Sequence, residues 1–142
     1  MMLIEFIRMV ERIAKSQPNI NSIVENDVYR LNTLKDANYS VFAWQQRQHT
    51  EEEDFWIYSL QLFYIDRLTQ DGSNELECQN TGIEVLSNII RTILSVGGGE
   101  IELYGNAVYH PFTQKFKDET SGCYVEVAFR VPKDCICEEA YI

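Results

Sequence analysis

The side chains best suited to chemistry are few and scattered. Two histidines, His49 and His110, and cysteines at 78, 123, 135 and 137 are the obvious candidates for base, thiol nucleophile or soft metal ligand. A catalytic centre needs a nucleophile with its base, a paired acid and base, or a metal. His49 ends a polar run, Gln45-Gln46-Arg47-Gln48, with no serine or cysteine motif beside it. His110 precedes Pro111 at an expected strand end, and surface or turn positions are the ordinary reading for both rings. Cys123 opens a strand-like run without the strand-to-helix elbow that exposes a nucleophile. Cys135-Ile136-Cys137 is a C-x-C pair, whereas zinc knuckles and redox motifs use C-x-x-C, and no second close pair completes a tetrahedral set. Reduced, partly buried thiols are the simpler expectation. The block Glu51-Glu52-Glu53-Asp54 has the donors of a hard-cation site, but a solvated hairpin tip is the usual state of such a run. Gly97-Gly98-Gly99 follows a helical pattern instead of opening one and lacks the Lys-Ser/Thr of a phosphate loop. The sequence thus predicts no catalytic residue, no metal and no cofactor, hence a protein that is not an enzyme.

The elements carrying these residues follow from hydrophobic period. Met2, Phe6, Met9, Val10 and Ile13 recur at spacings of three and four, which predicts an amphipathic helix over residues 2–15, stopped by Ser16-Gln17-Pro18. A short segment at 20–26 leads to a possible first strand at 27–32. Tyr39-Ser40-Val41-Phe42-Ala43-Trp44 reads as a strand with a polar extension to His49. After the acidic tip, residues 55–68 form a second long strand. Trp56, Tyr58, Leu60, Leu62 and Tyr64 share one face of it; Phe55, Ile57, Phe63 and Ile65 share the other. Asn74-x-x-Glu77 has the form of a capping box for a helix with Leu76, Ile83, Leu86, Ile89, Ile90, Ile93 and Leu94 on its stripe. Gly82 inside that stripe implies close packing on the sheet, since glycine there costs ~1 kcal/mol against alanine. The last third is again β: a strand over 100–109 broken by Pro111, a polar loop over 115–120, and a clean strand over 122–131.

That order predicts an α+β fold, an antiparallel sheet with a long β-hairpin packed against an N-terminal helix and a central helix in a two-layer sandwich. Residues 1–132 are expected to form one domain, with 133–142 a short acidic tail. The chain has 142 residues, 45% of them hydrophobic and 12% aromatic, which excludes a disordered chain. No run of about eighteen apolar residues exists, so no membrane helix is expected. Glu5, Arg8, Glu11 and Arg12 interrupt the apolar start, which is unlike a signal peptide and implies a protein that stays in the cytoplasm. The net charge of −10 and the scatter of twelve Lys and Arg exclude a basic nucleic-acid groove, so the strand aromatics read as core and interface.

Apolar residues on both faces of 55–68 ask for cover on both sides. With this element order the chain, from Leu3 to Val131, resembles the tail terminator and tail completion (neck) proteins of tailed bacteriophages. The stretches Val41-Phe42-Ala43-Trp44-Gln45-Gln46, Phe63-Tyr64-Ile65-Asp66-Arg67-Leu68 and Gly82-Ile83-Glu84-Val85-Leu86 are also similar to small proteins of phages infecting gut Bacteroidetes. The resemblance implies a virion protein, made in the host cytoplasm, that forms a ring of identical subunits, commonly six, at the neck or tail end. It implies contact with the tail tube on one side and head-connector or neck proteins on the other, with DNA passing through and no sequence-specific binding. The polar-ended hairpin and the C-x-C tail are departures from the general plan. A hairpin reaching across the next subunit puts the expected interface at Trp44, Gln46, Arg47, Phe55 and Trp56. Two other readings remain beside this one, a small adaptor or chaperone-like binding module and an enzyme whose site forms only between subunits.

Overall fold

The computed structural model describes residues 1–24, 38–113 and 119–135, and within them two helices and seven strands. Helix α1 (Leu3–Lys15) forms on the predicted stripe and buries Phe6, Ile7, Met9, Val10, Ile13 and Ala14. Met2 falls off the stripe and is exposed. Arg12 and Lys15 sit in the last turn, where cations suit the carbonyl end of the helix dipole.

Helix α2 (Glu75–Val96) keeps Leu86, Ile89, Ile90 and Ile93 on its buried face, but Leu76 and Ile83 point away from the core. The capping-box expectation is corrected at Asn74. Its side chain makes no bond to the helix; Oδ1 accepts from the Thr69 amide at 2.8 Å and Nδ2 donates to the Arg67 carbonyl at 3.2 Å. Asn74 therefore ties down the turn before α2. Gly82 does pack closely, since a Cβ there would stand 3.0 Å from the Cys123 Cβ. Gly98, at φ 60°, follows the last turn in a conformation glycine adopts readily.

The strands are β1 (Ser22–Val24), β2 (Val41–Gln46), β3 (Thr50–Glu51), β4 (Phe55–Arg67), β5 (Glu102–Leu103), β6 (Val108–Thr113) and β7 (Thr120–Pro132). They order as β1-β2-β4-β7-β5, with β3 beside β4 and β6 beside β7. All pairs are antiparallel except β1 with β2, which are parallel, so the sheet is mixed where an antiparallel one was expected. Residues 25–40 separate those two strands, enough chain for the crossover that parallel pairing requires. The possible strand at 27–32, most of the loop at 115–120 and all of the tail after Cys135 lie outside the described residues. Pro111 does not end its strand; β6 runs through it at the margin of the sheet, where a missing N–H is tolerated. The interruption comes earlier, at Gly105 with φ 79°.

Both helices cover one face of the sheet. Phe42, Trp44, Tyr58, Leu60, Leu62, Tyr64, Cys123, Val125, Val127, Phe129 and Val131 meet the helices there in the main core. Burial of each large side chain in it is worth about 1.5–3 kcal/mol. On the far face Val24, Val41, Ala43, Phe63 and Ile65 form a second, smaller buried cluster.

Candidate functional site

Strand β4 decides how far the hairpin can serve as an arm. All 13 of its residues pair with β7, from Phe55 opposite Pro132 to Arg67 opposite Thr120. The hairpin thus lies within its own sheet, which corrects the expectation of an arm reaching past it. The inference from the two-faced strand is corrected too: Ile57, Phe63 and Ile65 are buried within the chain and need no second copy to cover them.

The five expected interface residues divide into three groups. Trp44 is 6% exposed and its Nε1 donates to Glu11 Oε2 at 3.1 Å, so it is a core residue tying β2 to α1 and not a projecting anchor. Phe55 and Trp56 sit half-buried at the hairpin tip, each under a cation: Arg130 lies 3.4 Å over the Phe55 ring and Lys133 lies 5.4 Å over Trp56. Gln46 and Arg47 stand together where β2 ends, with Arg47 exposed. Trp44 and Gln46 line one concave surface, and Arg47 lines another on the far face. A groove of about 370 Å³ runs between α1 and β2, lined by Ile4, Ile7, Arg8, Trp44 and Gln46 among others.

The acidic tip is a network of pairs. Glu51 meets Lys133 Nζ at 2.8 Å and Glu52 meets Arg130 Nε at 3.0 Å, fastening the tip to the end of β7. Exposed pairs of this kind are each worth at most about 1 kcal/mol. Among the described residues no group of three or more His, Cys, Asp or Glu converges on a common point.

His49 is a structural residue. The chain bulges between β2 and β3, and the Ser59 amide donates to His49 Nδ1 at 3.2 Å where a ladder carbonyl would otherwise accept. With Nδ1 accepting, Nε2 carries the proton and donates to Gln46 Oε1 at 2.9 Å. Burial holds the ring's pKa below its ordinary 6.5. The neutral ring is the form the bulge uses, so the unfolded chain binds a proton at higher pH than the folded one. His49's contribution is fully present above pH 6.5 and is lost as pH falls through the lower folded value. Urea titrations at pH 7.5 and pH 5.5 are expected to show a lower midpoint at pH 5.5. His49→Ala should cost about 1–2 kcal/mol at pH 7.5, because the Ser59 N–H loses its acceptor, and should shrink that difference.

His110 stacks on Tyr124, which stacks in turn on Phe63, giving ring centroids 4.7 and 5.2 Å apart across β6, β7 and β4. Its Nε2 lies 3.9 Å from Glu126 Oε1, and Gln61 Nε2 donates to the same oxygen at 3.4 Å. Cys123 is fully buried under α2, and burial pushes its thiol up to about 11, so it stays protonated at neutral pH. Burial raises the Cys78 thiol as well, with Asp66 adding to the effect.

Surfaces that the sequence did not single out lie at the opposite flank. Leu103, Tyr104 and Val108 are all exposed on β5 and β6 and the link between them, and Ile83 of α2 is exposed as well. A second groove, about 260 Å³, crosses the far face with Ser59 and Ala128 as its floor and Arg47 and Tyr104 in its walls. An apolar residue in a strand reads as inward-facing, which hid Leu103 and Val108. The usable signal was Gly105, a turn former inside an otherwise strand-like run. No helix among the described residues is long and apolar enough to cross a membrane. Comparison with protein-family models and with curated proteins yields no match for this chain.

Proposed function

We propose that this chain is a non-enzymatic assembly subunit that joins head to tail into a closed ring, at the neck or tail end of a tailed-bacteriophage virion. One observation carries the reading: the two flanks of the sheet are unlike each other and both present exposed apolar surface. One flank has Ile4, 58% exposed, in the wall of the α1–β2 groove. The other has Leu103, Tyr104 and Val108 at 38–54%. Unlike patches on opposite sides of a subunit make heterologous contacts, which close into rings when the rotation per step divides a full turn. The order of helix, hairpin, helix and closing strands agrees with the resemblance to tail terminator and tail completion proteins. In this reading the ring contacts the tail tube on one side and a head-connector or neck protein on the other, and its net charge of −10 lets DNA pass without adhering.

Light scattering coupled to size exclusion tests the proposal. A discrete multiple of the subunit mass that resolves as rings by electron microscopy is the expected result. A chain that stays monomeric across the concentration range, alone and beside tail-tube protein, would sink the reading and favour an adaptor.

A further inference from the structure

The two flanks match each other in more than being exposed. Side chains alternate across a strand, so each flank presents one set toward the helix side and another toward the far face. On the β2 flank the helix-side set is a mixed groove in which Ile4, Ile7 and Trp44 supply the apolar part beside Arg8, Glu11 and Gln46, and the far-face set ends in Arg47 beside Ser59. On the β5 flank Leu103 is in register with the core residue Phe129, which places it on the helix side. Glu102 is in register with Arg130, which places it on the far face. Apolar therefore lines up with apolar and cation with anion when one flank is set against the other.

Resting on the ring reading above, we infer that the α1–β2 groove and Arg47 of one copy receive Leu103 and Glu102 of the next. Leu103 is 38% exposed and is the residue of β5 that projects at the level of the helices. The Glu102 carboxylate is 63% exposed, and its contact to Arg130 is long at 3.9 Å, leaving it able to take a second cation. Arg47 is exposed and carries a guanidinium suited to a carboxylate fork. Charge placement matters here because copies carrying −10 each repel, so association depends on cations set where they meet anions. Strands β4 and β7 lie between β2 and β5, and within one chain Glu102 meets Arg130, not Arg47.

The experiment uses the full chain with Arg47→Glu and Glu102→Arg, separately and mixed. Each single variant confronts like charges at every contact and is expected to weaken subunit association roughly tenfold or more. An equimolar mixture restores complementarity at every contact, with variants alternating around the assembly, and is expected to recover it. Leu103→Ala keeps both charges and should weaken association by emptying the groove. Thermal melts of the two charge variants check that each folds. If the wild type assembles and the single variants assemble equally well, or the mixture fails to recover, this pairing is overturned while the ring reading stands. If the wild type is monomeric throughout, the ring reading itself falls and takes this inference with it.

Discussion

Replacing Gly122 by alanine is expected to cost about 3 kcal/mol, at the top of the range for forced overpacking. The added methyl would stand 1.9 Å from the Tyr64 carbonyl oxygen and 2.9 Å from its carbon. Those are backbone atoms, so no rotamer change relieves the clash. Strands β4 and β7 would have to part where Ile65 faces Gly122, in the middle of the sheet. Glycine in a strand interior often marks such a close approach. Against a total stability of about 5–15 kcal/mol for a domain, the loss is large. Gly82→Ala provides the contrast. There the nearest atoms are the Cys123 Cβ at 3.0 Å and the Tyr64 ring at 3.1 Å, and the tyrosine ring has room to adjust as backbone does not. The helix gains up to ~1 kcal/mol from alanine, which offsets much of the crowding. Urea denaturation should show a lowered midpoint for Gly122→Ala and a small change for Gly82→Ala. Equal midpoints for the two would overturn the argument.

The strand containing Gly122 was legible in the sequence, while the contact that makes the glycine necessary was not. Alternation of Cys123, Val125, Val127, Phe129 and Val131 fixes which way β7 faces, and those residues are in the core. The period of Phe6, Met9, Val10 and Ile13 fixes α1 in the same way. Local period cannot report what lies opposite. Trp44 reads as a large apolar residue on a strand, and whether it meets a neighbouring chain or its own helix depends on Glu11, 33 residues earlier. The same limit applies to β4. Its two apolar faces require cover, and the far-face cluster of Val24, Val41, Ala43, Phe63 and Ile65 places four of its five members on β2 and β4, with Val24 on β1. A polar run after an apolar strand signals emergence into solvent, and the surface at Gln46 and Arg47 is half-buried to exposed. Its counterpart at Glu102 and Leu103 stayed hidden in a segment of only two strand residues, too short to show a period.

Phe6→Ala is expected to have the larger effect, about 3–5 kcal/mol, the range for emptying a buried phenylalanine site. Phe6 is fully buried, with its ring centroid 5.3 Å from both Tyr58 and Phe129. It is the point at which α1 sits on β4 and β7 together. The neighbouring Tyr58 hydroxyl donates to the Met1 carbonyl at 2.7 Å, so the start of the helix is held by the same tyrosine that Phe6 packs on. Loss of the ring leaves Tyr58 and Phe129 without their partner and loosens the turn that carries Ile4 and Ile7. Those two residues wall the groove proposed to receive the next copy. The variant should therefore lose stability in the isolated subunit and also lose assembly. Glu102→Arg should lose assembly alone. Assembly stabilises the folded state by mass action, so the Tm of the wild type should rise with protein concentration. For Phe6→Ala the Tm should be lower at every concentration and should rise less steeply. A Phe6→Ala subunit that keeps wild-type stability, measured in urea at low concentration, would show that α1 is not held to the sheet by this ring.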